Sequence, residues 1–167
     1  MWGLRAARLF DGFDFVADPV VLVDGERVVS VGESAPDGVE IADLGEATVL
    51  PGLVDCHQHL VFSMRGTLEE QVAGSSDDEL TERARANARR ALLGGVTTLR
   101  DLGDRGYVTL GLRGDPDLPT IACAGPPITP RGGHCWYLGG EIDGDEGRRE
   151  EALVAAVADR VGHGCDV

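Results

Sequence analysis

The 167-residue chain carries 29 acidic and 15 basic side chains, and its formal net charge of −14 argues against nucleic acid and anionic membrane surfaces as partners. This length suits one ordinary domain with a sizeable core. Because no stretch resembles a membrane span and the first residues lead into no apolar signal-peptide region, we expect a soluble, cytoplasmic protein.

Residues 1–50 are predicted to form a small β region. The apolar runs Val20–Val23 and Arg27–Val31 are separated by Asp-Gly-Glu at 24–26. This pattern indicates a β-hairpin, because Asp-Gly readily adopts the positive φ angles of tight turns. The segments around Arg5–Phe10 and Thr48–Leu50 are further strand candidates.

From Pro51 onward the pattern alternates between strand and helix, which is typical of a parallel α/β arrangement. Strand 1 is predicted over Gly52–His57. A helix is predicted over Asp77–Leu93, where Ser76 and Glu79 match a capping box and the glycines at 94 and 95 stop the helix. Its apolar face comprises Leu80, Ala84, Ala88, Ala91 and Leu92.

The remaining predicted elements follow the same alternation. They are strand 2 (Val96–Arg100), strand 3 (Thr120–Ala124), a loop over Gly125–Gly140, a second helix over Glu146–Val161 and the start of strand 4 at Cys165–Val167. We expect Leu153, Val157 and Val161 of the second helix to face inward, and Gly162 and Gly164 to end the helix.

The strongest candidates for a metal site are His57 and His59. Residues i and i+2 of a strand point to the same side, so both imidazoles are predicted to aim together while Cys56 and Gln58 face away. Neutral imidazole is a common metal ligand, and a pair on one rigid strand loses little entropy on binding. The alternative is that both rings only form hydrogen bonds inside the protein.

Val49–Leu60 contains Pro-Gly-x-x-Asp-x-His-x-His and resembles the first barrel strand of the amidohydrolase superfamily. The similarity continues in Gly94–Asp101, Ile128–His134 and Glu141–Gly144, which most resemble the branch of imidazolonepropionase-like and Xaa-Pro dipeptidase-like enzymes. The resemblance implies part of a β-sandwich over residues 1–50. Over residues 51–167 it implies the first part of a (β/α)8 TIM-type barrel.

A (β/α)8 barrel takes eight strands in about 250 residues, whereas this chain is predicted to supply three strands and the start of a fourth. An open sheet of that kind would expose an apolar face and an unpaired edge. We therefore expect the chain to be the front portion of a longer polypeptide, and not to fold stably alone.

The resemblance also implies an activity. It is that of a metal-dependent amidohydrolase, which cleaves the carbon–nitrogen bond of a dipeptide, acyl-amino acid or cyclic amide with a metal-activated water. His57 and His59 would bind a divalent metal, usually zinc, as one or two ions. The substrate is expected to be a small molecule, and the full-length protein to be a homo-oligomer.

Many relatives bridge two metal ions with a carboxylated lysine at the end of barrel strand 4, but this chain contains no lysine. The remaining ligands and the catalytic aspartate would lie beyond residue 167. The alternatives are a mononuclear imidazolonepropionase-like or deaminase-type hydrolase, and a non-catalytic scaffold of the same fold.

Further site candidates are less specific. His134 lies in a glycine-flanked loop and resembles a histidine that holds the substrate carboxylate in dipeptidase-like relatives, the alternative being a surface histidine. Asp55 is interpreted as structural, and Asp101 either supports the site or pairs with Arg100. His163, near a helix end, is interpreted as structural.

Two smaller expectations concern aromatic and sulfur side chains. Trp136 and Tyr137 either wall the substrate pocket or only pack. The four cysteines are widely spaced without a Cys-x-x-Cys pair, and we interpret them as buried free thiols, with two disulfides as the alternative.

Overall fold

The computed structural model describes residues 1–63, 65–143 and 148–166. The chain divides into two compact units, Met1–Pro51 and Gly52–Val167. None of the helices in the described ranges combines the length and the apolarity that crossing a membrane requires.

The first unit contains two small sheets. One has the strand order β5-β4-β1-β6, with β1 at Trp2–Arg5, β4 at Val20–Asp24, β5 at Arg27–Gly32 and β6 at Ile41–Asp43. The other has the order β3-β2-β7, with β2 at Arg8–Phe10, β3 at Phe15–Ala17 and β7 at Thr48–Val49.

The predicted hairpin is confirmed. Strands β4 and β5 pair antiparallel, and Asp24 lies opposite Arg27, which leaves a two-residue turn. Gly25 in that turn has φ +56°, a conformation that glycine adopts without steric cost. Leu9 and Leu22 are among the buried residues of this unit.

The second unit contains the predicted α/β alternation. Its strands are β8 (Leu53–Gln58), β9 (Val96–Asp101), β10 (Thr120–Cys123), β11 (Thr129–Pro130) and β12 (Glu141–Ile142). Its helices are α1 (Leu68–Ala73), α2 (Asp77–Leu93) and α3 (Arg149–His163), with short 3₁₀ helices at Val108–Leu112 and Trp136–Leu138.

The three predicted strands form one parallel sheet in the order β10-β9-β8. The Asp166 amide also donates a 2.8 Å hydrogen bond to the Cys123 carbonyl oxygen, so the chain returns to the outer edge of β10 where strand 4 was predicted. Cys165 and Asp166 have no strand assignment, and Val167 lies outside the described residues. The carboxyl ends of three parallel strands therefore meet at one edge of the sheet.

Helix α2 has the predicted limits and the predicted cap. The Ser76 hydroxyl accepts from the Glu79 amide at 3.2 Å, and the Glu79 carboxylate accepts from the Ser76 amide at 2.7 Å. Leu80, Ala84 and Ala88 are fully buried in the core cluster of this unit. Burying one leucine side chain contributes about 1.5–3 kcal/mol, so packing adds to the cap in stabilising α2.

Helix α3 differs from its prediction. The predicted start at 146 lies outside the described residues, and Gly162 lies inside the helix, whereas Gly164 ends it with φ +85°. The inward orientation of Leu153, Val157 and Val161 is wrong, since they are 47%, 47% and 68% exposed. An apolar face is buried only where another element covers it, and the described residues supply no cover there.

Several local elements were not predicted, among them three features of the second unit. Helix α1 begins with a capping box of Thr67 and Glu70, a signal present in the sequence. The 3₁₀ helix after β9 follows Tyr107, which has φ +61°. The loop after strand 3 contains β11, which pairs parallel with β12, so this loop has structure of its own.

Candidate functional site

The two histidines lie at the carboxyl end of β8. His57 belongs to the strand and His59 follows its last residue, Gln58. Their ring centres are 5.3 Å apart and the ring planes are inclined by 67°. The rings are therefore adjacent, whereas metal binding stays a prediction. Among the described residues, no group of three or more His, Cys, Asp or Glu side chains is arranged to hold a metal ion.

The environment of His59 favours the neutral imidazole. Its Nδ1 lies 3.4 Å from the Gly103 carbonyl oxygen. Burial lowers the pKa of His59, and the charges of His57 and His134 lower it further, while the Gly103 carbonyl opposes the shift. Neutral imidazole is the form that ligates metals, so the pKa shift suits the predicted role.

Asp55 stabilises the end of β8. Its carboxylate accepts from the His57 amide at 3.0 Å and from Gln58 Nε2 at 2.7 Å. These two hydrogen bonds, that of the His57 amide being the stronger cause, lower the pKa of Asp55. The contacts agree with the predicted structural role, because they order the backbone that carries His57.

Asp101 is a fully buried carboxyl at the end of β9. Its Oδ2 accepts from the Leu60 amide at 2.8 Å and its Oδ1 from the Gly103 amide at 2.9 Å. Burial raises the pKa of Asp101 to about 7, although both hydrogen bonds act in the opposite direction. Asp101 was predicted either to support the site or to pair with Arg100, and these contacts agree with the supporting role. Pairing does not occur, since Arg100 Nε donates to the Cys56 carbonyl instead.

The segment after the histidine pair is buried and is held by helix α2. Leu60 and Val61 are fully buried, so their backbone carbonyls require partners inside the protein. Asn87 Nδ2 donates to the carbonyls of Leu60 and Phe62, each at 2.8 Å, and Arg83 donates to that of Val61 at 3.1 Å. Sequence reasoning missed Asn87, because its partners lie 25 and 27 residues away.

Asp104 is a second buried carboxyl that sequence reasoning missed. Its Oδ2 accepts from the amide and the hydroxyl of Thr109 at 2.7 and 2.6 Å. Within the described part of the chain, its Oδ1 has no hydrogen-bond partner. Burial raises the pKa of Asp104. These contacts stabilise the loop after β9.

His134 is exposed in the loop after β10. The preceding residue, Gly133, packs closely against the backbone of the same loop. A Cβ on Gly133 would overlap the Thr129 hydroxyl and lie 2.8 Å from the Pro130 carbonyl oxygen, so the absence of a side chain permits close backbone packing. Because the charge of His134 lowers the pKa of His59, the two imidazoles are electrostatically coupled. The substrate-binding role of His134 stays a prediction.

A row of aromatic rings connects this loop with the histidine pair. The ring-centre distances are 5.5 Å for His59–Phe62, 6.3 Å for Phe62–Tyr137 and 6.2 Å for Tyr137–Trp136. Burial raises the pKa of Tyr137 to about 12, so its phenol is neutral. The row brings together residues from the loops after β8 and β10.

A cavity of about 790 Å³ opens beside His59. Three of its lining residues are the arginines Arg65, Arg83 and Arg90, and none is acidic. In a chain with a net charge of −14, this cavity is a local region of positive charge. It suits an anionic group such as a carboxylate.

The remaining candidates have structural contacts. His163 Nδ1 lies 2.9 Å from the Asp159 carbonyl oxygen, and its ring stacks on Tyr107 at 3.9 Å, in agreement with the predicted structural role. All four cysteines are free thiols. The prediction that all are buried is wrong for Cys56, which is exposed on β8, and Cys165 is half-buried.

Comparisons with known proteins point to one family. Residues 48–150, more than half of the chain, match the Amidohydrolase family. An imidazolonepropionase from Cereibacter sphaeroides is 38% identical over 63 residues, which are 36% of this chain and 16% of that protein. An imidazolonepropionase from Streptomyces avermitilis is 38% identical over 85 residues, which are 50% of this chain and 18% of that protein.

Two solved structures extend the similarity over most of the chain. A Xaa-Pro dipeptidase with methionine bound in its active site has a TM-score of 0.74 and 26% identity, over 98% of this chain and 45% of that chain. Atrazine chlorohydrolase from Arthrobacter aurescens, complexed with zinc, has a TM-score of 0.61 and 22% identity, over 87% of this chain and 39% of that chain. At this identity the similarity shows the fold alone. This chain thus spans less than half of either structure.

Proposed function

Because the chain belongs to the amidohydrolase family, we propose that it forms part of a metal-dependent hydrolase that cleaves carbon–nitrogen bonds. The observation that carries the proposal is the adjacency of His57 and His59 at the carboxyl end of β8. With Zn–N bonds of about 2.0–2.1 Å and tetrahedral angles, two imidazole ring centres on one ion lie roughly 5 Å apart. The observed separation of 5.3 Å fits that geometry.

The two imidazoles are part of a ligand set, since zinc in proteins takes three or four protein ligands. When bound, a divalent metal supplies Lewis-acid chemistry and lowers the pKa of a water molecule to about 7. We take zinc as the first metal to test, because imidazole nitrogen is one of its usual protein ligands. We propose that the remaining ligands come from further strands of a completed (β/α)8 barrel, and that residues 1–50 form part of a β-sandwich.

Residues of this chain would prepare the site in distinct ways. Asp55 orders the backbone of His57, and burial keeps His59 neutral. The arginines of the cavity beside His59 favour a substrate with a carboxylate, such as a dipeptide or an acyl-amino acid. His134 would donate a further hydrogen bond to that carboxylate from the loop after β10. The similarity to a Xaa-Pro dipeptidase supports the dipeptide.

A mononuclear imidazolonepropionase-like hydrolase of a cyclic amide is the second candidate. It is favoured by the imidazolonepropionases that match this chain at 38% identity. The two candidates differ in the number of metal ions and in the bond cleaved. A panel of Xaa-Pro dipeptides and imidazolone propionate, with metal content measured on the same sample, separates them. The homo-oligomeric state and the cytoplasmic location stay predictions.

The test replaces each imidazole in the intact protein. His57→Ala and His59→Ala are expected to lose stoichiometric metal, measured by mass spectrometry of the elements. They should also lower kcat/KM by more than about 100-fold, since removing a mere outer-shell partner already costs about 10–100-fold. His163→Ala is the matched control, because His163 lies in the same unit, where its hydrogen bond goes to Asp159 and its ring stacks on Tyr107.

Retention of metal and activity in both variants would contradict the proposal. A wild-type protein without stoichiometric zinc, iron or manganese would favour the non-catalytic scaffold instead.

A further inference from the structure

We infer that Asp101 is a positioning residue that acts through Gly103 to set the tautomer of His59. The significance of this inference for catalysis rests on the proposed function, whereas the experiment that tests the inference does not require bound metal. Asp101 contacts neither histidine in the described structure. It acts through the backbone on both sides of the His59 ring, in three steps.

The first step is the segment that carries His59. Asp101 Oδ2 accepts the hydrogen bond of the Leu60 amide at 2.8 Å, and Leu60 follows His59 directly. Both groups are buried, so this amide has no access to solvent as an alternative partner. A buried amide that loses its acceptor is costly, because no solvent replaces the lost hydrogen bond. Asp101 therefore anchors the backbone next to the His59 Cα.

The second step is the backbone of Gly103. Asp101 Oδ1 accepts from the Gly103 amide at 2.9 Å, and the neighbouring Leu102 amide donates to the Gln58 carbonyl at 2.9 Å. Gly103 is also confined from outside, because a Cβ there would lie 2.7 Å from Pro127 Cγ. The Gly103 amide and the Gly103 carbonyl belong to successive peptide units. The carboxylate fixes Gly103 at its amide and packing against Pro127 confines its Cα, while the carbonyl lies in the peptide unit shared with Asp104.

The third step is the imidazole. The Gly103 carbonyl oxygen lies 3.4 Å from His59 Nδ1 and can only accept a hydrogen bond. In a neutral imidazole one nitrogen carries the proton and the other carries the lone pair. The proton is therefore held on Nδ1, and the Nε2 lone pair is left for a cation. One buried carboxyl in this way aligns the ring and selects its tautomer.

Asp104 provides a matched control. It is a buried carboxyl three residues later, and its hydrogen bonds go to Thr109. Asp104→Asn therefore changes a carboxyl of the same kind in the same loop and leaves the acceptor of the Leu60 and Gly103 amides in place. The Asp104 amide shares a peptide unit with the Gly103 carbonyl, so the substitution is the isosteric asparagine, which can still accept from the Thr109 amide. A general effect of altering a buried carboxyl should appear in both variants. The positioning effect should appear only in Asp101→Asn.

The experiment measures ¹⁵N shifts of histidine side chains in intact protein labelled with ¹⁵N-histidine, after removal of metal by a chelator. In the wild type, His59 is expected to carry its proton on Nδ1. In Asp101→Asn the fraction of His59 with its proton on Nδ1 should fall, so that both tautomers are present. It should stay at the wild-type level in Asp104→Asn, and the signals of His163 should not change in either variant. Cobalt affinity should fall about 10-fold in Asp101→Asn.

Two results would overturn the inference: a wild-type His59 with its proton on Nε2, or an Asp101→Asn variant with unchanged His163 signals and an unchanged His59 tautomer. If Asp101→Asn does not fold, Gly103→Ala takes its place, because it keeps the carboxyl and displaces the carbonyl. An unchanged tautomer in that variant would equally overturn the inference.

The outcomes separate this inference from the proposed function. If His59 has the expected tautomer and the wild type binds no metal, the positioning holds and the hydrolase proposal fails. If metal binds and the metal-free His59 carries Nε2–H, only the positioning inference fails.

Discussion

Two histidine-bearing segments follow parallel strands of the second unit, and they are held in different ways. After β8, the backbone of Leu60–Phe62 is held by side chains from β9 and α2. After β10, the hydrogen bonds around His134 lie mainly within the loop's own backbone, and Arg160 of α3 donates to the Pro126 carbonyl at the start of the loop at 3.2 and 3.0 Å. The Gly133 amide donates to the Pro130 carbonyl at 2.8 Å, and the Thr129 amide donates to the Gly140 carbonyl at 3.2 Å.

The difference has a chemical meaning. A metal ligand must be placed within about 0.5 Å of its working position, which requires support from rigid elements. His59 has that support from a buried segment. A residue that contacts a substrate can lie on a loop, since loops carry much of binding in proteins with a rigid scaffold. His134 is exposed on such a loop. The following predictions test this contrast, in order of decreasing effect.

Asn87→Ala should have the largest effect on stability among these changes. It leaves the Leu60 and Phe62 carbonyls without their donor, and one buried unsatisfied group costs about 1–3 kcal/mol. Denaturant unfolding of the intact protein measures the loss. Arg89→Ala, on the exposed side of the same helix, should stay within about 0.5 kcal/mol of wild type. Equal losses in both variants would contradict the role assigned to Asn87.

Gly133→Ala should disturb the second segment by overpacking. The added methyl would overlap the Thr129 hydroxyl, and overpacking typically costs about 1–3 kcal/mol. Because the hydrogen bonds around His134 lie mainly within this loop, we expect the KM to rise while metal content stays at the wild-type level. Gly111→Ala is the control, since a Cβ there meets nothing within 4 Å. Loss of metal in Gly133→Ala would show that the two segments are not independent.

The pH dependence of stability should report Asp101. Its pKa is about 7 in the folded protein against 3.8 in its ordinary state, so between these values the folded state keeps a proton that the unfolded state has released. This contribution to stability is complete below the lower value and is lost as pH rises through about 7. The free energy of unfolding of wild type relative to Asp101→Asn should therefore fall from pH 5 to pH 8. A constant difference would contradict the raised pKa.

His134→Gln should have the smallest effect. Replacing the imidazole weakens the proposed hydrogen bond to the substrate carboxylate by about 1 kcal/mol, which corresponds to a KM increase of roughly 5-fold with kcat unchanged. The pKa of His59 should rise, because the charge of His134 no longer opposes its protonation. Steady-state kinetics and an NMR titration measure the two effects. An unchanged KM would remove His134 from the substrate site.

Helices α2 and α3 show how far pattern alone predicts structure. Both are amphipathic, and the limits of α2 agree with the capping box and the stop glycines in the sequence. The apolar face predicted for α2 is buried in the structure, where Leu80 and Ala84 are fully buried. The same reasoning failed for Leu153 and Val157 of α3, which stay exposed. Periodicity identifies a face, but its burial depends on a covering element elsewhere in the fold.

By itself the sequence determined the local features of this protein: the hairpin with Gly25, the caps of α2, the parallel α/β order and two imidazoles side by side. The hairpin, the caps and the histidine pair each follow from residues within a few positions of one another, and the parallel α/β order follows from the alternation of strand and helix patterns from Pro51 onward. Only the tertiary structure decided what holds the imidazoles. Asp101 reaches Leu60 across 41 residues of sequence and Asn87 across 27. Such contacts depend on which strand edges and helix faces meet, and a buried backbone group accepts whichever partner the fold brings to it.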